Sequence, residues 1–221
     1  MRRKIAGVVL VILGAVLIGS ALLLFMHNTK ESNEAGEAAQ ELLADVQAAI
    51  EERAQNPDKP ADKKSEAATE DGEITEDEMP GQEIMADTGG EVTAVYINGY
   101  DYIGYLTIHD LGLVLPVMEN WSYEKLRIAP CRQFGSPVSD DLVIAAHNYA
   151  QHFGRLSSLK TGAPISFTDM NNVTHEYKVA SIRQLEATNV EAVQNSAHDL
   201  VLYTCTYGGQ SRVTVFCDRV G

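Results

Sequence analysis

Three residues stand at spacings that permit covalent chemistry. Cys205 closes the apolar run Leu200-Val201-Leu202-Tyr203-Thr204, Gly208-Gly209 follow, and Arg212 opens a second run, Val213-Thr214-Val215-Phe216-Cys217. A strand, short loop and strand of this kind return Arg212 beside Cys205 across a hairpin, so that both side chains face one groove. A thiolate is a strong nucleophile, and a neighbouring cation lowers its pKa. His147 stands at the end of Leu142-Val143-Ile144-Ala145-Ala146, where an imidazole at the mouth of a buried strand can reach the groove and move protons. Each residue alone has an ordinary reading, as a packed thiol, a solvated charge or a structural histidine. Their combination is a chemically sensible constellation for a nucleophilic thiol. The other histidines, His27, His109, His152, His175 and His198, form no HExxH or Cys/His zinc spacing with the cysteines, so neither metal nor cofactor is expected. Cys131, Cys205 and Cys217 form no CxxC pair, and an odd number leaves at least one thiol free in a monomer.

The elements that must hold these residues are short and β-rich. From about Val92 onward the runs 93–97, 102–108, 142–146, 165–168, 176–181, 200–204 and 213–217 read as strands, separated by glycine-marked loops, with short helices or turns at 122–126 and 152–159. About seven short strands in one compact domain, 92–221, define an all-β class, a closed barrel or a sandwich.

Upstream the chemistry is different. Ile5 through Met26 gives 22 residues without a charge, long enough to cross a bilayer as a helix. Arg2, Arg3 and Lys4 in the basic tip 1–4 place the N-terminus in the cytoplasm and the rest outside the cell membrane, single-pass. A cleaved secretory signal would have a shorter apolar core and end in small residues, whereas this run ends in Leu22-Leu23-Leu24-Phe25-Met26. Within the stalk, 27–91, residues 34–53 carry Ala39, Leu42, Leu43, Val46, Ala49 and Ile50 at helical spacing, which predicts an amphipathic helix, read as a solvated spacer. Asn56 to Glu91 has the composition of an acidic, disordered tether. On this reading residues 1–91 supply location and reach, and no groove residue. Residues 27–92 hold 19 Asp and Glu against 5 Lys and Arg, which is the whole of the formal net charge of -14. The folded part has only nine scattered basic residues, so nucleic acid is excluded as a partner.

Taken in order, Leu142 to Asn148 with its terminal His147, Val201-Leu202-Tyr203-Thr204-Cys205, and Arg212 opening the next strand resemble the signature of the sortase family over about residues 95–221. The second segment is similar to the family's TLxTC motif. Phe153-Gly154-Arg155-Leu156 and Gly162-Ala163-Pro164-Ile165-Ser166-Phe167 add to the likeness. The departures are Val201 for Thr, Ala146 for the common Gly, and only six residues between Cys205 and Arg212. The resemblance implies a closed eight-stranded β-barrel with short helices, which cuts an LPxTG-like sorting signal at the C-terminus of a secreted protein. The new carboxyl end would be joined to an amine of a cell-wall precursor or a pilin lysine. It implies Cys205 as nucleophile, His147 as proton-transfer partner, Arg212 as oxyanion stabiliser and Thr204 as a substrate-groove contact. Two other readings are a cell-wall cysteine peptidase, whose papain-like order puts Cys before His, and a non-catalytic tethered binding protein on the same barrel. Leu115-Pro116-Val117 is no sorting signal, since no apolar, basic tail follows it.

Overall fold

A computed structural model describes residues 2–56, 92–206 and 208–220, with side chains from residue 12 onward. The expected tether between Asn56 and Glu91 lies almost entirely outside the described residues.

One helix, α1 (Arg2–Gln55), runs without a break from the apolar segment into the stalk. Nine strands follow: β1 (Val95–Ile97), β2 (Tyr100–Ile108), β3 (Leu113–Met118), β4 (Cys131–Phe134), β5 (Leu142–Ala145), β6 (Pro164–Asp169), β7 (Thr174–Glu186), β8 (Leu200–Cys205) and β9 (Ser211–Arg219). Short helices α2 (Tyr123–Leu126) and α3 (Glu191–Gln194) sit in the connections. The strand order β2-β3-β4-β5-β8-β9-β7-β6 closes through β6 onto β2, which makes an eight-stranded barrel, with β1 added as a hairpin arm on β2. Closure requires backbones to come close where β2 meets β6. At Gly104, φ is +143° and a Cβ would lie 2.0 Å from the Thr168 carbonyl oxygen, so only glycine fits. The register shift between Tyr102 and Gly104 bends β2 at the same point.

Alternation sorts the strand residues into two cores. Leu142, Ile144, Leu200, Leu202, Val215 and Cys217 point into the barrel. Val143, Ala145, Val201, Tyr203 and Phe216, one residue out of phase, point outward, yet they too are buried, because helical residues cover them. This explains why β5 and β8 are continuous apolar runs, while β7 alternates exposed Thr174, Glu176 and Lys178 with buried His175, Tyr177 and Val179.

The stalk helix is not a solvated spacer. Ser32, Ala35, Ala39, Leu43, Val46 and Ile50 form one buried stripe at helical spacing. Val46 and Ile50 belong to the outer core with Tyr102 and Met118, so the surface they cover comes from β2 and β3. Polar bonds fix the docking: Gln40 Nε2 donates to the Val114 carbonyl (3.2 Å), Asn98 Nδ2 to Asp45 (2.6 Å) and Arg53 Nε to the Met170 carbonyl (3.3 Å). Burial of this stripe repays the helix-ordering cost that an isolated helix of this composition cannot meet.

Candidate active site

The site is assembled by register. β8 and β9 pair antiparallel with Cys205 directly opposite Arg212. β5 and β8 run parallel, Ala145 opposite Tyr203, and the ladder continues one residue further through the Ala146 amide, which donates to the Tyr203 carbonyl (3.2 Å). His147 follows two residues after the end of β5, the strand that neighbours β8, whose last residue is Cys205. Cys205 and Arg212 are in phase with Tyr203 and Phe216, so both occupy the outer face. Beyond Cys205 the loop is tied shut. The Thr206 amide donates to the Ser211 carbonyl (2.8 Å) and the Gly209 amide to the Thr206 carbonyl (2.9 Å), with Gly208 and Gly209 at positive φ.

Arg212 is only 3% exposed. Its guanidinium lies over the Tyr203 ring at 5.0 Å, and the Tyr203 hydroxyl donates to Gln133 Oε1 (2.6 Å), so the aromatic platform is itself held. Arg212 hydrogen-bonds the Cys205 thiol, while its Nε, also buried, has no partner. Desolvation pushes the Cys205 pKa up, and the charge and hydrogen bond of Arg212 pull against that rise. The arrangement offers a thiol in a half-buried groove next to a fixed cation with a buried donor unsatisfied.

His147 is placed by a folded loop. The Phe153 amide donates back to the His147 carbonyl (3.2 Å) and the Gly154 amide to the Tyr149 carbonyl (2.9 Å). At Gly154 a Cβ would sit 2.3 Å from the Asn148 carbonyl oxygen, so this turn requires glycine for space rather than for its φ. Arg155 braces the loop through the Ala150 and Leu111 carbonyls at 3.2 and 2.7 Å. The His147 ring stacks on Tyr149 at 4.9 Å. Its pKa is lowered by burial first and by the Arg127 cation second, against an opposing pull from the Glu31 carboxylate of α1.

Between α1 and this loop lies a cavity of about 780 Å³. Helix residues Asn28, Glu31 and Ser32 line one side, and Arg127, His147 and Asn148 the other. α1 meets the loop closely at Gly36, where a Cβ would come within 2.8 Å of the Gln151 side chain. His152 is fully buried, with no well-formed hydrogen bond to either ring nitrogen among the described residues; burial lowers its pKa to about 4, against an opposing pull from the nearby Ala35 backbone of α1. The expectation that residues 1–91 contribute nothing to the groove is thus corrected, because α1 walls the histidine side of the site.

Thr204 is placed elsewhere. Its side chain is in phase with Leu202 and opposite Val213, which belong to the barrel interior, and its hydroxyl is buried without a partner. The side chain therefore faces away from Cys205. Cys131 and Cys217 are buried free thiols, one in the outer core and one in the inner core. Burial raises both pKa values, that of Cys131 to about 12, which leaves them unreactive. His175 bonds Asp169 (3.1 Å) and His198 bonds Asp218 (2.5 Å), as structural pairs. Sequence reasoning missed Tyr203, Gln133, Arg127 and Glu31. Tyr203 was accessible to it, two residues before Cys205 and so on the same face. The others come from distant elements and leave no local signal.

The sortase domain family model matches residues 106–220, and the chain belongs to the sortase family, a family of cysteine transpeptidases. Sortase A from Corynebacterium diphtheriae is similar at 22% identity over 55% of this chain and 62% of that one, with a TM-score of 0.51. Sortase C from Clostridium perfringens SM101 is similar at 23% identity over 55% and 71%, TM-score 0.48. Sortase C1 from Streptococcus suis is similar at 26% over 54% and 73%, TM-score 0.49. The chain thus spans less than two thirds of the Corynebacterium enzyme. No curated protein matches the sequence.

Proposed function

We propose that this chain is a membrane-anchored sortase that cleaves an LPxTG-like sorting signal in secreted proteins and transfers the acyl group to an amine of a cell-wall precursor or a pilin lysine. The observation that carries the reading is the buried Arg212 guanidinium, paired across β8–β9 with the Cys205 thiol and holding an unsatisfied Nε–H donor. A buried donor without an acceptor is costly, and the acceptor it suits is an oxyanion on a carbonyl attacked by Cys205.

In the resting site both partners are neutral, since burial raises Cys205 and lowers His147. His147 takes the thiol proton and the thiolate attacks the scissile carbonyl. Arg212 then stabilises the oxyanion, and His147 returns the proton to the leaving amine. The product is a thioester on Cys205 with a neutral His147, which an incoming amine resolves, so the kinetics are ping-pong. Thr204 is left out of the groove because of where its side chain lies. Residues 5–26 anchor the chain in the cell membrane with the N-terminus cytoplasmic and the barrel outside, which fits the long apolar helix near the N-terminus.

The test is intact-mass detection of an acyl adduct after incubating the full chain in detergent with sorting-signal peptides. The adduct is expected on Cys205, absent in Cys205→Ala and retained in Cys131→Ala and Cys217→Ala. An adduct on Cys131, or product from Cys205→Ala, overturns the assignment.

A further inference from the structure

The mechanism above uses the floor of the site but not the cavity beside it, which α1 closes over His147. Its lining is more apolar than polar, with Phe25, Ala35 and Ile128 among it, and its charged groups are set asymmetrically. Glu31, Ser32 and Asn28 come from the helix and Arg127 from the far side, and both charges act on His147. Ser32 is 7% exposed, and its hydroxyl, on the cavity wall, has no hydrogen-bond partner. The Glu31 carboxylate contacts His27 (3.2 Å), an exposed i,i+4 pair of the kind that contributes little and exchanges readily. Glu34, which also lines the cavity, is likewise held by Lys30 (3.5 Å) in an exposed pair.

From this geometry we infer that the cavity is the acceptor site, that the helix carrying the chain into the membrane forms its wall, and that its ligand is a primary ammonium group held by Glu31 and Ser32. The inference rests on the transpeptidase reading and goes beyond it, since it says where the second substrate sits and what selects it. A carboxylate and an unpartnered hydroxyl suit an ammonium, which brings three donors. Arg127 excludes the cation from the far side and disfavours imidazolium at His147, leaving the ring free to accept a proton. The step balances as follows. The ammonium gives one proton to His147, and the amine nitrogen attacks the thioester carbonyl. The C–N bond forms and the C–S bond breaks with its electron pair on Cys205. The second nitrogen proton then passes to the thiolate, leaving an amide, a thiol and an imidazolium that releases its proton to solvent. The apolar run ends at Met26, and Phe25, Asn28 and Thr29 line the cavity, so one end of it lies at the level where the helix would leave the membrane.

The experiment follows the fate of one intermediate. The full chain in detergent, acylated by a sorting-signal peptide, is given glycinamide or Nα-acetyl-lysine amide, and the ratio of amide to hydrolysed product is read by mass. The two amines distinguish an α-amino acceptor from a lysine side chain. Glu31→Lys should lower the ratio at least about tenfold for the preferred amine, the scale of a lost charge-assisted contact. Asn28→Trp, which fills the cavity at an exposed position, should lower it as well. A thioester that forms normally but partitions as before in both variants, with both amines, overturns the acceptor site and leaves the catalytic reading standing. Failure of the unsubstituted chain to form a thioester overturns both.

Discussion

Cys205 and His147 are displaced in opposite directions by the same burial, and their proton chemistry follows from that. In the proposed mechanism the competent site holds one proton between thiol and imidazole. It is lost on acidification through the His147 pKa, which lies below the usual value near 6.5, and on alkalisation through the Cys205 pKa, which lies above the usual cysteine value. A plot of kcat/KM against pH should therefore be a broad bell. Arg127→Gln removes a cation that holds His147 down, so its acid limb should move to higher pH. Glu31→Gln should move that limb to lower pH. Shifts of one sign in both variants would show that these charges do not act on His147. Arg212→Ala should lower kcat/KM at least about a hundredfold, and Arg212→Lys should restore only part of it, because an ammonium cannot donate as a planar fork while stacked over Tyr203. Full activity in Arg212→Lys would remove the oxyanion role.

At the scale of elements, the interface between α1 and the catalytic loop contains its own titrating group. His152 is buried with no well-formed hydrogen bond to either ring nitrogen among the described residues, the Ala35 backbone of α1 being its nearest polar neighbour in effect. Its folded pKa of about 4 lies below the unfolded value, so the unfolded chain binds the proton more readily. Its contribution to stability is complete above about pH 6.5 and is lost as pH falls toward 4, amounting to on the order of 3 kcal/mol. Thermal unfolding across that window should show this acid loss in the wild type and a flatter profile in His152→Phe. An unchanged profile would mean the ring is protonated or hydrated in the fold. The strands show where sequence reading reaches and stops. β2, β5, β8 and β9 announce themselves through apolar runs and turn glycines, and the pairing of Cys205 with Arg212 follows from the short hairpin. β3 contains Pro116, which argues against a strand inside a sheet, and β4 reads Cys-Arg-Gln-Phe with no apolar pattern. Both are strands because their neighbours in the barrel require them. The buried stripe of α1 was visible as a stripe, but the β2 and β3 surface that covers it is built from residues fifty or more positions away, and local periodicity carries no word of that.

At the scale of the molecule, β2–β9 close one barrel whose outer core is completed by a helix from the other end of the chain. Helix and barrel are thus one folded unit through the packing of α1, whereas the sequence reads as a barrel on a string. Only the barrel and its site were legible as such, because their signals are local hairpins and motifs.

The absence of a joint in α1 between the apolar run and Ser32 turns residue count into orientation. Each residue of helix adds about 1.5 Å of height and about 100° of rotation. One residue inserted between Met26 and His27 would leave the groove at nearly the same height but swing it about a quarter turn around the anchor. Seven inserted residues would bring it back nearly into phase and raise it about 10 Å. With a substrate and acceptor both tethered in one vesicle, turnover should fall for the single insertion through rotation relative to its neighbours. For the seven-residue insertion the loss should track height alone, with soluble peptide as the reference for intact chemistry. Equal turnover in all three chains would show that the helix swivels at the membrane surface. The number of residues between Met26 and Ser32 is in that sense an address, fixing the compass bearing from which a substrate must arrive.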